Sequence, residues 1–197
     1  GFQSAVDWLA ASYAGFGVTA RKERYGVWRG WRQGAVHMDL LAPRVASLEV
    51  KLLAWSPGTS RDVDGDAVVL PAGLDSAAAT RWLGTVRGKY VLVSAPEAMC
   101  RAPQELERLA RAATVARLQA QRQEMQREVA VRARAFGGGL LLQRRLDSAG
   151  VAGIVTSLWS GGWGVNKIFG ATAARVPTVD LSCEDYGLVW RLASNNQ

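Results

Sequence analysis

Val86-Arg87-Gly88-Lys89-Tyr90-Val91-Leu92-Val93 is answered about sixty residues later by Asp147-Ser148-Ala149-Gly150-Val151-Ala152-Gly153-Ile154-Val155. Each stretch is a glycine-marked turn that runs into a short apolar, β-branched strand. Between them lies one long helical segment rich in arginine and glutamine. A strand, a helix and a second strand entered through Ala149-Gly150 make a compact α/β unit, and the rest of the chain is read outward from it.

Pro103 to Phe136 is the longest periodic run, with Leu106, Leu109, Ala113, Ala116, Ala120, Val129, Ala133 and Phe136 mostly on one stripe. Pro103 suits a first turn, and Gly137-Gly138-Gly139 ends the run. A shorter helix, Leu140 to Ser148, leads to Gly150. Upstream, Phe2, Val6, Leu9, Ala10 and Tyr13 fall at helical spacing until Gly15 and Gly17 stop them. Val36, Met38 and Leu40 alternate with His37 and Asp39 as a half-buried strand, and Leu48, Val50 and Leu52 make another. Val63 to Leu70 reads as a strand, Asp75 to Leu83 as a short helical piece, and Val151 to Thr156 as a strand. Glu184 to Leu192 reads as a closing helix that Ser182 caps. These elements predict an α+β chain with a β-sandwich or barrel-like core, flanked by helices that include one long one. Residues 1–24 form a helical lead-in, and 25–197 the main domain with its preceding hairpin.

Composition narrows the function classes. The chain has 197 residues, enough for one sizeable domain, with no apolar run long enough to span a membrane. No basic n-region or cleavage pattern marks a signal peptide near Gly1, and the first helix starts without a cap, as though inside a longer sequence. The net charge of +7 invites a nucleic-acid reading, but the basic residues are 20 Arg and only 4 Lys, a bias better explained by genome composition. A basic solvated surface is the preferred reading. Cys100 and Cys183 fit either one disulfide or two free thiols.

Candidate chemistry is sparse. His37 is the single histidine, and with Cys100 and Cys183 it makes no metal-ligand spacing. No Gly-x-Ser-x-Gly elbow accompanies it. Asp62, Asp64 and Asp66 alternate as calcium ligands do, yet no glutamate closes a twelve-residue loop, so a polar turn is the better reading. Gly161-Gly162-Trp163-Gly164 lacks the Lys-Ser pair of a phosphate cradle. No catalytic or metal-binding residue is therefore assigned. Trp159 and Trp163 in that loop, with Trp28 and Trp31 in the Tyr25–Trp31 segment, are the candidate contacts for substrate or partner; capping of the core explains them equally well.

An ordered series of segments resembles the protease-associated (PA) domain. It comprises Arg87 to Val93, Ala149 to Val155, Val176-Pro177-Thr178-Val179 and Glu184-Asp185-Tyr186-Gly187. Arg29-Gly30-Trp31, Leu41-Ala42-Pro43 and Ala54 to Thr59 are similar to the stretch that precedes that domain in M28-type zinc peptidases. The resemblance covers about residues 25 to 192. It implies a non-catalytic fragment of a secreted or periplasmic exopeptidase, which shapes substrate access or mediates contacts between subunits. The implied partners are the peptidase domain of the same polypeptide, a peptide substrate and a second copy of the chain. The zinc ions and their His, Asp and Glu ligands would lie in a peptidase domain expected beyond Gln197, with no cofactor in this chain. The rival expectation is a freestanding protein-interaction module.

Overall fold

The computed structural model describes residues 1–27, 30–101, 103–158 and 168–197. The chain forms two units, residues 1–31 and 32–197. In the first, helix α1 (Phe2–Gly15) buries none of its side chains. Gly17, at φ +75°, ends it in the left-handed region that favours glycine. Lys22 pairs with Asp7 on the solvated surface of this unit.

The second unit is built on one five-stranded sheet. Its strands are β3 (Val50–Leu52), β4 (Ala67–Val69), β5 (Tyr90–Leu92), β6 (Gly153–Thr156) and β7 (Thr178–Leu181). Their spatial order is β3-β7-β6-β5-β4; β4 to β7 run parallel and β3 pairs antiparallel with β7. A separate two-stranded ribbon is formed by β1 (Asp39–Leu40) and β2 (Ala46–Ser47). The helices are α2 (Ser76–Leu83), α3 (Pro103–Leu109), α4 (Ala112–Arg134), α5 (Gly139–Ala149) and α6 (Cys183–Ser194).

The α+β class and the long helix are both present. The faces that a sandwich would set against a second sheet are covered mainly by helices. Parallel neighbours need crossovers, and these put helices over the sheet. On one face Val91 and Ile154 meet Ala79 of α2, Ala133 near the end of α4, Phe136, and Leu142 and Leu146 of α5. On the other, Leu92, Val155, Val179 and Leu181 meet Tyr186 and Val189 of α6, with Met38 and Leu40 packed alongside. Adjacent residues of one strand thus serve opposite cores, as the two-residue strand period dictates.

The two glycine turns are bonded to each other. Gly88 and Gly150 both sit at φ +73°, and the Gly88 N–H donates to the Gly150 carbonyl at 2.9 Å. The Ala152 N–H donates to the Lys89 carbonyl at 2.8 Å, which sets β5 and β6 side by side from their first residues. A Cβ on Gly65 would come within 2.4 Å of the Gly88 carbonyl oxygen, so the chain entering β4 passes this turn with room for glycine alone.

The periodic run from Pro103 to Phe136 is two helices rather than one. Arg111 takes an extended conformation (ψ 143°) and α4 begins anew after it.

Candidate functional site

The parallel strands end along one edge of the sheet, and a cleft opens where β5 and β6 release their chains. The apolar Val91 and Leu92 are fully buried, so the chain leaves the sheet only at Val93 and Ser94. Val93, Ser94, Ala95 and Glu97 from the β5 exit, Ser157 from the β6 exit, and Gln126 and Val129 from α4 line a cleft of about 250 Å³. The carboxyl edge of parallel strands is where α/β sheets place ligands.

Hydrogen bonds fix this edge. The Ser157 N–H donates to Ser94 Oγ at 3.0 Å, tying the two strand exits together. Tyr186 of α6 reaches across: its hydroxyl donates to the Ser94 carbonyl at 2.7 Å and accepts from the Ser94 N–H at 2.8 Å. Burial pushes the Tyr186 phenol far above its usual range, so it stays neutral and keeps the proton it donates. Beside the cleft, Asp180 of β7 is 1% exposed. Its Oδ1 accepts from Thr156 Oγ1 at 2.8 Å and from the Leu158 N–H at 2.6 Å. Burial raises the Asp180 carboxyl above its ordinary value, and these two bonds only partly offset it.

Glu97 is the titratable group on the cleft wall. Its side chain is 11% exposed and accepts an ion pair from Arg122 Nε of α4 at 3.1 Å. Burial nevertheless wins over the arginine, and the Glu97 carboxyl is raised. A raised carboxyl in a cleft is a group that exchanges protons or hydrogen bonds with a ligand more readily than a surface carboxylate does. Two serine hydroxyls, an amide and a paired carboxyl can position a polar ligand. No histidine accompanies them to activate either serine as a nucleophile.

Below the return segment to β7, Asp147 of α5 organises a turn. Its Oδ1 accepts from the N–H groups of Arg175 at 2.9 Å and Val176 at 3.0 Å. One turn earlier Gln143 holds the same segment by accepting from the Thr172 N–H at 2.9 Å. Burial works against the Asp147 charge, but the N–H groups of Arg175, Val176 and Ala174 outweigh it and hold the carboxyl below its ordinary value.

Cys100 and Cys183 form a disulfide with Cα atoms 5.6 Å apart, which resolves the choice the sequence left open. Among the described residues, the one grouping of three His, Cys, Asp or Glu side chains close enough to share a cation is Cys100, Cys183 and Glu184. Its two sulfurs are bonded to each other, so the donor set present does not fit a zinc site. His37 is solvent-facing and lies 2.8 Å from Asp39. Asp62, Asp64 and Asp66 are exposed.

Of the four tryptophans singled out as contacts, Trp31 is half-buried in the first unit, and Trp28, Trp159 and Trp163 lie outside the described residues. Reasoning from sequence passed over the cleft. Its partial signals were Asp180, a carboxylate between Val179 and Leu181, and Tyr186, which stands in a quoted motif without an assigned role.

No protein-family profile matches the sequence, and no curated protein matches it. Among solved structures, the fold is similar to the 1.70 Å crystal structure of a peptidase M28 precursor from Shewanella amazonensis SB2B. The TM-score is 0.50 at 15% identity, and the match covers 99% of this chain and 39% of the other. The chain therefore spans about two fifths of the length of that protein, and the likeness is one of fold.

Proposed function

We propose that this chain is a non-catalytic, PA-type domain of an M28-type zinc peptidase, which shapes substrate access or mediates assembly. The observation that carries the reading is the fold likeness along almost the whole of this chain to two fifths of an M28 peptidase precursor. The ordered segments around Gly88, Gly150, Pro177 and Tyr186 resemble the same family; the first three lead into β5, β6 and β7. Bond cleavage and zinc belong, on this reading, to a peptidase domain of the same polypeptide. A disulfide between Cys100 and Cys183 accords with an oxidising, secreted or periplasmic setting. No described helix is long and apolar enough to cross a membrane.

On this reading the candidate contact residues are Trp159 and Trp163, and separately Trp28 and Trp31. Trp159→Ala and Trp163→Ala, introduced into the full polypeptide, are expected to weaken peptide affinity or subunit assembly while the fold persists. Unchanged KM and unchanged assembly in a folded double variant would overturn this assignment. A freestanding interaction module is the second reading, favoured by a cleft that is formed within this chain.

A further inference from the structure

The segment 94–101, which carries the Glu97 wall of the cleft, forms neither helix nor strand. Besides the Ser157 N–H bonded to Ser94 Oγ, three tethers hold it. Ser94 is gripped by the Tyr186 hydroxyl, Glu97 by Arg122, and Cys100 by its disulfide to Cys183. Two of the three come from one face of α6, since Cys183 and Tyr186 are three residues apart on the helix. The covalent tether lies at the far end of the segment, beyond Glu97. Without it, nothing after Glu97 binds the segment to α6 in the hydrogen bonds and ion pairs described.

We propose that the Cys100–Cys183 disulfide is a thiol-exchangeable clasp that sets the position of the Glu97 wall and hence the shape of the cleft. The two sulfurs are placed unequally. Cys100 is half-buried, whereas Cys183 is buried in the first turn of α6. A thiolate of a small dithiol reductant attacks Sγ of Cys100, the more accessible sulfur, and the disulfide bond breaks. Cys183 leaves as a thiolate at a helix N-terminus, where the peptide dipoles favour negative charge. The second thiol of the reductant, on losing its proton, attacks the mixed disulfide and expels the Cys100 thiolate. The reductant ends as a disulfide having given up two electrons, and the two cysteines take up its two protons to become thiols. The segment is then held at Ser94 by Tyr186 and Ser157 and at Glu97 by Arg122, and the Glu97 wall is free to open while both cores stay packed.

Two measurements on the whole chain test this. Hydrogen exchange is followed under native conditions with and without dithiothreitol. Exchange in residues 95–101 and across the cleft-facing turns of α4 is expected to rise about tenfold or more on reduction, with β6 and β7 unchanged. A rise spread over the whole sheet, or no rise at all, would overturn the proposal. Trapping with limiting glutathione reads the chemistry independently of any variant's folding. The mixed disulfide is expected on Cys100; a glutathione adduct mapped to Cys183, or a native bond that no thiol attacks, would contradict the mechanism.

Discussion

Replacing Asp147 separates what its charge does from what its shape does. Both backbone N–H groups of the turn before β7 donate to the same oxygen, Oδ1, at 2.9 and 3.0 Å. The Arg175 guanidinium approaches the other oxygen at 3.4 Å and is itself largely solvated, so that ion pair adds little. Two hydrogen bonds to a charged acceptor contribute about 1.5–3 kcal/mol each. Against this, a carboxylate near the C-terminus of α5 costs about 0.5 kcal/mol from the helix dipole. Taking the lower end for the bonds, Asp147→Ala is expected to lose about 2.5 kcal/mol, a fall in Tm of roughly 5–10 °C for a chain of this size. Asp147→Asn keeps an oxygen at Oδ1 and loses only the charge, so its cost is about 1 kcal/mol.

The acid dependence follows from the direction of the shift. The folded carboxyl is held below the ordinary value of 3.8. The stabilisation is therefore complete above that value and disappears as pH falls through the lower folded value. Urea unfolding of the three proteins from neutral pH down to about pH 2 reads this directly. The gap between wild type and Asp147→Asn should close in acid. An alanine variant as stable as wild type at neutral pH, or a gap to Asn that is constant through the acid range, would refute the argument.

Asp180 has the opposite sign. Its folded carboxyl is raised by burial, so ionisation opposes folding and stability falls as pH climbs from the unfolded to the folded value. Asp180→Asn keeps the Oδ1 acceptor without the charge and is expected to be at least as stable at neutral pH. Asp180→Ala strands the Leu158 N–H and the Thr156 hydroxyl and is expected to lose about 2 kcal/mol in the same urea titration. Tyr186→Phe removes both bonds to Ser94 while keeping the ring in its core, for a loss of about 1–3 kcal/mol by urea unfolding; no loss would show that the Ser94 backbone finds other partners.

The parts of the fold that were legible from sequence are those governed by neighbours along the chain. Gly88 and Gly150 mark left-handed turns, and the strands that follow them are read from their own β-branched residues. What no local pattern reveals is that the two turns bond to each other. The break at Arg111 is hidden for the opposite reason, since Ala110, Arg111 and Ala112 include no proline or glycine and the helical stripe runs on past them. The cleft rests on pairs far apart in sequence: Ser94 with Ser157, Ser94 with Tyr186, Glu97 with Arg122. Each is an ordinary polar residue in its own stretch and acquires meaning only where the strands end. The cysteines show the same limit, for 83 residues separate them and only the fold brings α6 to the exit of β5.

The central proposal is that this chain is a non-catalytic domain of a peptidase. The most direct test measures zinc content and aminopeptidase activity on this chain and on the full polypeptide that contains it, purified alike. Zinc and hydrolysis are expected in the full polypeptide, with neither in the chain alone. Stoichiometric zinc with peptide hydrolysis by this chain, or a full polypeptide that has no peptidase activity, would contradict the account.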